Sequence, residues 1–322
     1  MLSFKTTPPD YSPTWRRAEC RVASDPAQTI DIALRHTLTG ELLGTRRFVN
    51  ITEAAFDVSP IIRRTIRFAP QPAPTGYVSA VDRKIPVTVT AALTDDPSQK
   101  TRSPTRVYFA GADTPAMLSL LTTMPTERLI APGEWDEATL LFDLPPKTTV
   151  TAQGPAGTVV RTYAPASSGL QLFRLDTSDF PGAERITVEF DTCGKVEYTV
   201  VPAVQGARRI AWHTRAGSIE HYTFPIEPTA SVETQKTRIR SFEGPEVVSA
   251  DQEQRLRLRS AYETRTMLEA LAEILVAPEV WIVDSSGYRK VDVLSDRAVV
   301  HRHGTLSCLE IEIRLCRTTD RS

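Results

Sequence analysis

Proton transfer and metal binding near neutral pH fall first to histidine, and this chain has five. His301 and His303 stand two apart, so on a strand both imidazoles leave one face and would need a third ligand from a neighbouring strand to hold a metal. Gly304 beside them favours a wet face or a turn instead, and neither belongs to an HExxH pattern. His213 and His221 bracket the Arg215, Ala216, Gly217 turn of a hairpin and can stand near each other across it, but no cysteine lies close by and no convincing acidic ligand group accompanies them. Surface or interface chemistry is the reading for both pairs, and no metal is expected.

Carboxylates opposed across a cleft would serve glycoside or phosphate chemistry, a condition that scattered strands do not reveal. Asp136 with Glu137, and Glu310 with Glu312, read as solvated strand faces. The chain contains no GxSxG nucleophile elbow, no Walker-type phosphate loop and no GxGxxG turn. Cys20, Cys193, Cys308 and Cys316 form no CxxC pair and read as reduced, mostly buried thiols, not as a zinc site. Catalytic, cofactor and metal sites are therefore not expected, and an uncharacterised hydrolase is the enzymatic alternative.

The elements that must position these residues are mainly strands. Apolar residues alternate through TIDIALRHTL, LLGTRRFVNI and KIPVTVTAAL, the period of strands with one face in a core. FDVSPIIRRTIRF fits a short helix or a turn before a strand. QPAPTGY and TDDPSQKTRSPT are loop chemistry, and TTMPTERLIAPGEW suits a passage between domains. Six further runs follow, ATLLFDL, TTVTAQG, GTVVRTYAP, GLQLFRLD, RITVEFD and KVEYTVVP, broken by PP, GPAG, SSG, FPG and TCG. Strands are also expected through Lys236 to Phe242 and Gln254 to Leu258. One helix stands out, over 262 to 277, where Met267, Leu268, Leu271, Ile274 and Leu275 recur at helical steps until Pro278. The closing strand alternates Leu309, Ile311, Ile313 and Leu315 with Glu310, Glu312 and Arg314. The resulting expectation is a mainly β, multidomain chain of antiparallel β-sandwich units with one C-terminal helix packed on a sheet. Its units are an N-terminal sandwich over 1–125, a central sandwich over 126–225 and a mixed β/α unit over 226–322.

Composition bounds the partners. The 322 residues carry 24 Pro against 15 Gly, which favours Pro-punctuated connections between short elements. No apolar run approaches the roughly 20 residues that cross a bilayer, and MLSFKTTPPDYSPTWRR lacks the basic and apolar segments of a signal peptide. With 38 Lys+Arg against 39 Asp+Glu, overall charge weighs against direct nucleic-acid binding. The Arg-rich runs RRFVN, IIRRTIRF, GARRI and RLRLRS read as strand faces suited to ion pairing with another subunit. Trp15, Trp135, Trp212 and Trp281 are spread along the chain as core or interface anchors, with no stacking strip for a sugar.

Trp212, Gly217, Tyr222 and Phe224 set out a W-x-x-x-x-G-x-x-x-x-Y-x-F hairpin, followed by polar strands, the helix in YETRTMLEALAEILVAPEVWIVD and closing β segments. Over roughly residues 205 to 316 this order resembles a family of prophage-encoded structural proteins of tailed phages and phage-like elements from Bacteroidetes-type bacteria. Family members often carry Asn and an aromatic or Asp within the hairpin, where this chain has His213, Ser218 and Ile219. The resemblance implies a tail or baseplate component of a virion or phage-like particle assembled in the bacterial cytoplasm. It would pair with other tail or baseplate proteins, and with itself in a ring, without making or breaking a substrate bond. Trp212, Tyr222 and Phe224 would then stiffen the hairpin, the helix stripe would pack across a sheet, and Arg-rich strand faces would supply orientation and pairing specificity, with Trp281 a further structural or interface candidate. The competing reading is a β-sandwich module that binds a carbohydrate or a cell-surface protein.

Overall fold

Alternating apolar residues build the strands of the N-terminal part, as the period-two spacing predicts. In the computed structural model, which describes residues 1–70, 73–242, 244–304 and 306–315, the chain is mainly β: several sheets in sandwich-like units, with one short C-terminal helix packed on a sheet. Where a sandwich is expected over 1–125, hydrogen bonding joins Leu2–Thr6, Tyr11–Pro13, Glu19–His36, Leu42–Asp57, Lys84–Leu93, Lys100–Arg102 and Arg106–Phe109 into one seven-stranded sheet. Val22, Ile30, Ile32 and Leu34 share one buried face with Val87, Val89, Ala91 and Phe56 of the adjacent strands. The ambiguous FDVSPIIRR segment becomes the helix Ser59–Arg63, with Pro60 in its first turn, where the missing N–H costs nothing, and Ile62 in the core. Gly76–Val78 and Ser119–Leu121 leave this sheet to join the next.

All six runs predicted for the centre are strands: Trp135–Phe142, Thr148–Gly154, Gly157–Tyr163, Gly169–Asp176, Arg185–Glu189 and Lys195–Val200. They divide between a four-stranded and a five-stranded sheet that share a core, Leu140, Phe142, Phe173 and Leu175 meeting Val150, Ile186, Val188 and Val196. The passage read as a linker supplies Glu127–Ile130, which pairs parallel with Lys195–Val200. Pro125 and Pro132 punctuate this strand; they do not replace it.

The Trp212 hairpin, strands Arg208–His213 and Ile219–Phe224, falls before the boundary drawn at 225 but is bonded into the eight-stranded C-terminal sheet, Ala211 opposite Trp281. Burial explains the membership. Trp212, Tyr222 and Phe224 share one core with Leu256, Leu258, Leu309 and Ile311, and the helix closes that core with Met267, Leu268, Leu271 and Ile274, while Leu275 is half-buried beside it. The helix is shorter than predicted, Arg265–Ala272 with a 3-10 turn Glu273–Val276. Thr264 caps it by accepting the Met267 N–H at 3.3 Å. Before the cap, Glu263 forms an isolated bridge with Ser307 and accepts a hydrogen bond from the Tyr222 hydroxyl at 2.7 Å.

Cys20, Cys193 and Cys308 are buried free thiols, and Cys316 lies outside the described residues. The arginines of RLRLRS find partners within the chain, since Arg259 meets Glu310 at 2.8 Å and Arg257 meets Glu310 at 3.5 Å across adjacent strands. Glu310 and Glu312 are thus half-buried and paired, not free on a solvated face.

Candidate functional site

The strand Trp135–Phe142 is buried along nearly its whole length, so both of its faces are covered. Its first residues carry charge into that environment. Asp136 and Glu137, expected on a solvated face, are 2% and 3% exposed. Because successive side chains leave opposite faces, they have different partners. Glu137 takes a bidentate pair from Arg83 at 2.8 and 3.2 Å. Asp136 accepts from Arg128 at 2.9 Å and meets His221 Nδ1 at 3.0 Å.

These contacts open a polar seam between the central sheets and the C-terminal sheet. Arg128 also reaches Glu220 at 2.9 Å, and Glu220 accepts from Thr122 at 2.6 Å and Ser218 at 2.9 Å. On the other side His221 Nε2 lies 2.8 Å from the Tyr288 hydroxyl, which also receives Trp135 Nε1 at 3.0 Å and Arg174 Nη2 at 3.2 Å. Arg209 ties Glu134 at 2.9 Å to the carbonyl of Trp135 at 2.6 Å.

The Tyr288 oxygen fixes the imidazole tautomer. Its two lone pairs are taken by the Trp135 and Arg174 donors, which leaves its own proton for His221 Nε2. Nε2 is therefore the acceptor, and Nδ1–H donates to Asp136. Burial lowers the His221 pKa against the pull of Asp136, in keeping with a neutral ring. Burial opposes the Asp136 carboxylate as well, but Arg128 and His221 outweigh it and hold its pKa well below the ordinary range. Glu220 moves the other way, raised by burial that Arg128 only partly offsets.

An Asp–His–Tyr chain has the residue types of a proton relay. Each member is, however, already hydrogen-bonded to groups of this chain, the tyrosine oxygen to three of them. What the arrangement does is hold three sheets in register. Nothing local in the sequence pairs Asp136 with His221, 85 positions apart; the available signal was the pair of acids opening an otherwise apolar run.

The residues singled out from sequence serve the interior. Trp212, Tyr222, Phe224, Met267, Leu268, Leu271 and Ile274 are buried in the C-terminal core, while Trp281 points to the opposite face with Phe68, Trp135 and Tyr288. Gly217 sits at φ +91°, in a turn pressed against the N-terminal part: a Cβ there would stand 2.8 Å from the Ala110 carbonyl oxygen. Arg215 meets Asp113 at 3.0 Å beside it. His213 gives its ring to Trp15 and Phe68 and its Nε2 to the Ala110 carbonyl at 3.1 Å. His301 is half-exposed, 3.4 Å from Glu310; the side chain of His303 lies outside the described residues. Among the described residues, no group of three histidine, cysteine or acidic side chains is placed to hold a metal.

The exposed feature of note is a hairpin, Ile226–Ser241 and Gly244–Arg259, which we call the arm. Among the described residues, only Arg255 to Arg259 pair onward, with Glu310 to Arg314. Outward of that the arm is a two-stranded ribbon exposing Val232, Ile239, Val247 and Val248, with Phe242 fully exposed at its end.

No family model matches this chain, and no curated protein matches it. Among solved structures it is similar to the "Crystal structure of Dpr2 Ig1-Ig2 in complex with DIP-Theta Ig1-Ig3", at 9% identity and a TM-score of 0.22, over 99% of this chain and 92% of that one. A likeness at that score carries no argument about fold family or partner.

Proposed function

We propose that this protein is a non-enzymatic structural component that acts through protein–protein contact, placed in the tail or baseplate of a phage or phage-like particle. The observation that carries the reading is the arm, a long ribbon held at its base by the C-terminal sheet and presenting apolar side chains outward along strand edges that no described residue pairs. The resemblance over roughly 205 to 316 supports the particle. The polar seam supports a structural over a chemical role, because Arg83 with Glu137 and Arg128 with Asp136 are ion-paired in the interior between sheets. Particles induced from the host and purified on a density gradient should contain this chain in stoichiometric amount by quantitative mass spectrometry. Its absence from purified particles would overturn the reading.

One observation favours a second reading, a module that captures a protein segment at a cell surface. A cleft of about 540 Å³ runs between Leu129, Val201, Pro202, Val204, Tyr222 and Pro225, with Leu129 and Val204 exposed on its rim. A sugar ligand fits less well, since all four Trp are buried or half-buried. Binding of the purified chain to intact host cells, together with its absence from particles, would select this second reading.

A further inference from the structure

We propose that the contact between the turn His213 to Gly217 and the loop Ala110 to Asp113 is an acid-released latch: a proton taken up by His213 parts the two segments while the sheets on either side stay folded. The device goes beyond the assembly reading above and does not rest on it.

Backbone does the joining. The N–H groups of Ala112 and Asp113 donate to the Arg215 carbonyl at 2.7 and 3.2 Å. The segments come this close because each carries a glycine: a Cβ on Gly111 would stand 3.2 Å from the Arg215 oxygen, and one on Gly217 2.8 Å from the Ala110 oxygen. Apolar burial at the contact is small, with Ala216 beside Phe109 in one minor cluster and Phe68 beside Trp281 in another. The main cores lie within the sheets on either side, so parting the segments leaves intact the burial that holds each sheet.

His213 is placed so that a second ring proton is poorly received. The residue is 1% exposed. Its Nε2 faces the Ala110 carbonyl at 3.1 Å, which makes Nε2 the protonated nitrogen, and Nδ1 is buried with no hydrogen-bond partner among the described residues. A proton on Nδ1 would create a buried N–H without an acceptor, on a ring that now carries a full charge. The groups that face the ring do not balance that charge. Trp15 and Phe68 cover it at centroid distances of 4.8 and 4.0 Å, and Phe68 already receives the Arg83 guanidinium at 5.2 Å. Arg83 repels an imidazolium, and the acids beside it, Asp82 and Glu137, are bonded to Arg83 itself. Glu279 offers its backbone carbonyl to the His213 N–H at 3.0 Å while its carboxylate pairs with Lys290, and Asp113 pairs with Arg215.

The sign follows. In the closed contact burial keeps the imidazole neutral down to about 3. Once parted, the ring is wet and takes its proton near the ordinary value of about 6.5. Between those values the parted form gains about tenfold in population for each pH unit of acidification. Glu273, half-buried beside Arg215 and raised by burial, titrates with the opposite sign, so the test must isolate the imidazole.

Hydrogen exchange with mass spectrometry on the full chain, from pH 7.5 to 4.5 and corrected for the intrinsic rate at each pH, reads the peptide that holds Ala112 and Asp113. In the wild type its protection should fall about hundredfold over that range, with a slope near one proton per opening between pH 6 and 5. The strands Lys84–Leu93 and Leu306–Leu315 should keep their protection. In His213→Gln, which keeps a donor toward the Ala110 carbonyl and loses the titrating ring, protection of the loop should stay level. Level protection in the wild type overturns the latch, as does an equal fall in the variant. Loss of protection in all strands together overturns it too, because that is unfolding and not release. If the glutamine variant is already open at pH 7.5, His213→Phe fills the site without a titrating group and takes its place. The wild-type slope decides in every case: one proton per opening supports the latch, and none overturns it.

Discussion

His213 and His221 make stability depend on pH through their environment. An unfolded histidine takes up its proton below about 6.5, whereas burial in the fold holds His213 neutral down to about 3. Between those values the unfolded chain binds more protons than the folded one, so stability falls as pH falls, by about 1.4 kcal/mol per pH unit for each such group. His221, lowered in the same direction by burial, adds to the slope. Asp136 adds more only in stronger acid: its depressed carboxylate contributes stability above an unfolded pKa near about 3.9, lost as pH falls below that. Glu220, raised by burial, has the opposite sign. A difference measurement isolates the histidine. His213→Gln keeps a donor for the Ala110 carbonyl and removes one titrating group, so the slope of stability against pH between 6 and 4 should drop by about one proton. Urea midpoints across that range read it directly, and an unchanged slope would show that His213 is accessible to protons. Gly217 is the second residue whose role is local. At φ +91°, with the Ala110 oxygen and the Phe109 ring each 2.8 Å from the point where a side-chain methyl would stand, Gly217→Ala should cost about 1–3 kcal/mol in denaturant unfolding.

At the scale of the element, what could be read from sequence followed from burial geometry. The six central strands and the final one were legible because one dry face imposes a period of two, and the helix because Met267, Leu268, Leu271 and Ile274 form a stripe against one sheet. Leu271→Ala should therefore cost about 2–5 kcal/mol, while Val276→Ala, on a side chain 80% exposed, should stay within about 0.5 kcal/mol. Equal effects in thermal unfolding would contradict the packing. The arm was legible only in pieces, Lys236 to Phe242 and Gln254 to Leu258, because a ribbon wet on both faces imposes no period on its side chains. Glu127–Ile130 escaped for a different reason. Its parallel partner lies far along the chain, and the prolines around it look the same whether they bound a strand or a linker. The polar seam was the least legible feature, since Asp136 and Glu137 have the same letters whether they face water or Arg128 and Arg83.

Across the whole molecule, polar contacts act beside two smaller apolar clusters, one around Phe109, Leu141 and Ala216 and one around Phe68, Trp135 and Trp281, to join the sheets that the larger cores build. The Gly217 turn and Arg215 bind the C-terminal sheet to the loop at Ala110 to Asp113, and the Asp136–His221–Tyr288 chain binds it to the centre. Arg83, just before the N-terminal strand Lys84–Leu93, joins that sheet to the centre through Glu137, with both side chains 2% exposed. Burial opposes the charge on Arg83, but Glu137 and Asp82 overcome it. The Coulomb gain of such a pair is set against the cost of drying both ions, so its net worth is small while the cost of halving it is large. Arg83→Met leaves the buried Glu137 carboxylate with its partner gone and should cost about 3–5 kcal/mol. Arg83→Met combined with Glu137→Met removes both charges and should recover most of that loss, which makes the pair strongly non-additive. If Arg83 instead matters through its stacking on Phe68, 5.2 Å from the ring centroid, the double variant should be no better than the single one. A double-mutant cycle by chemical denaturation distinguishes the two. Because the pair spans two units, the single variant should also split the unfolding transition, with the N-terminal sheet released before the centre.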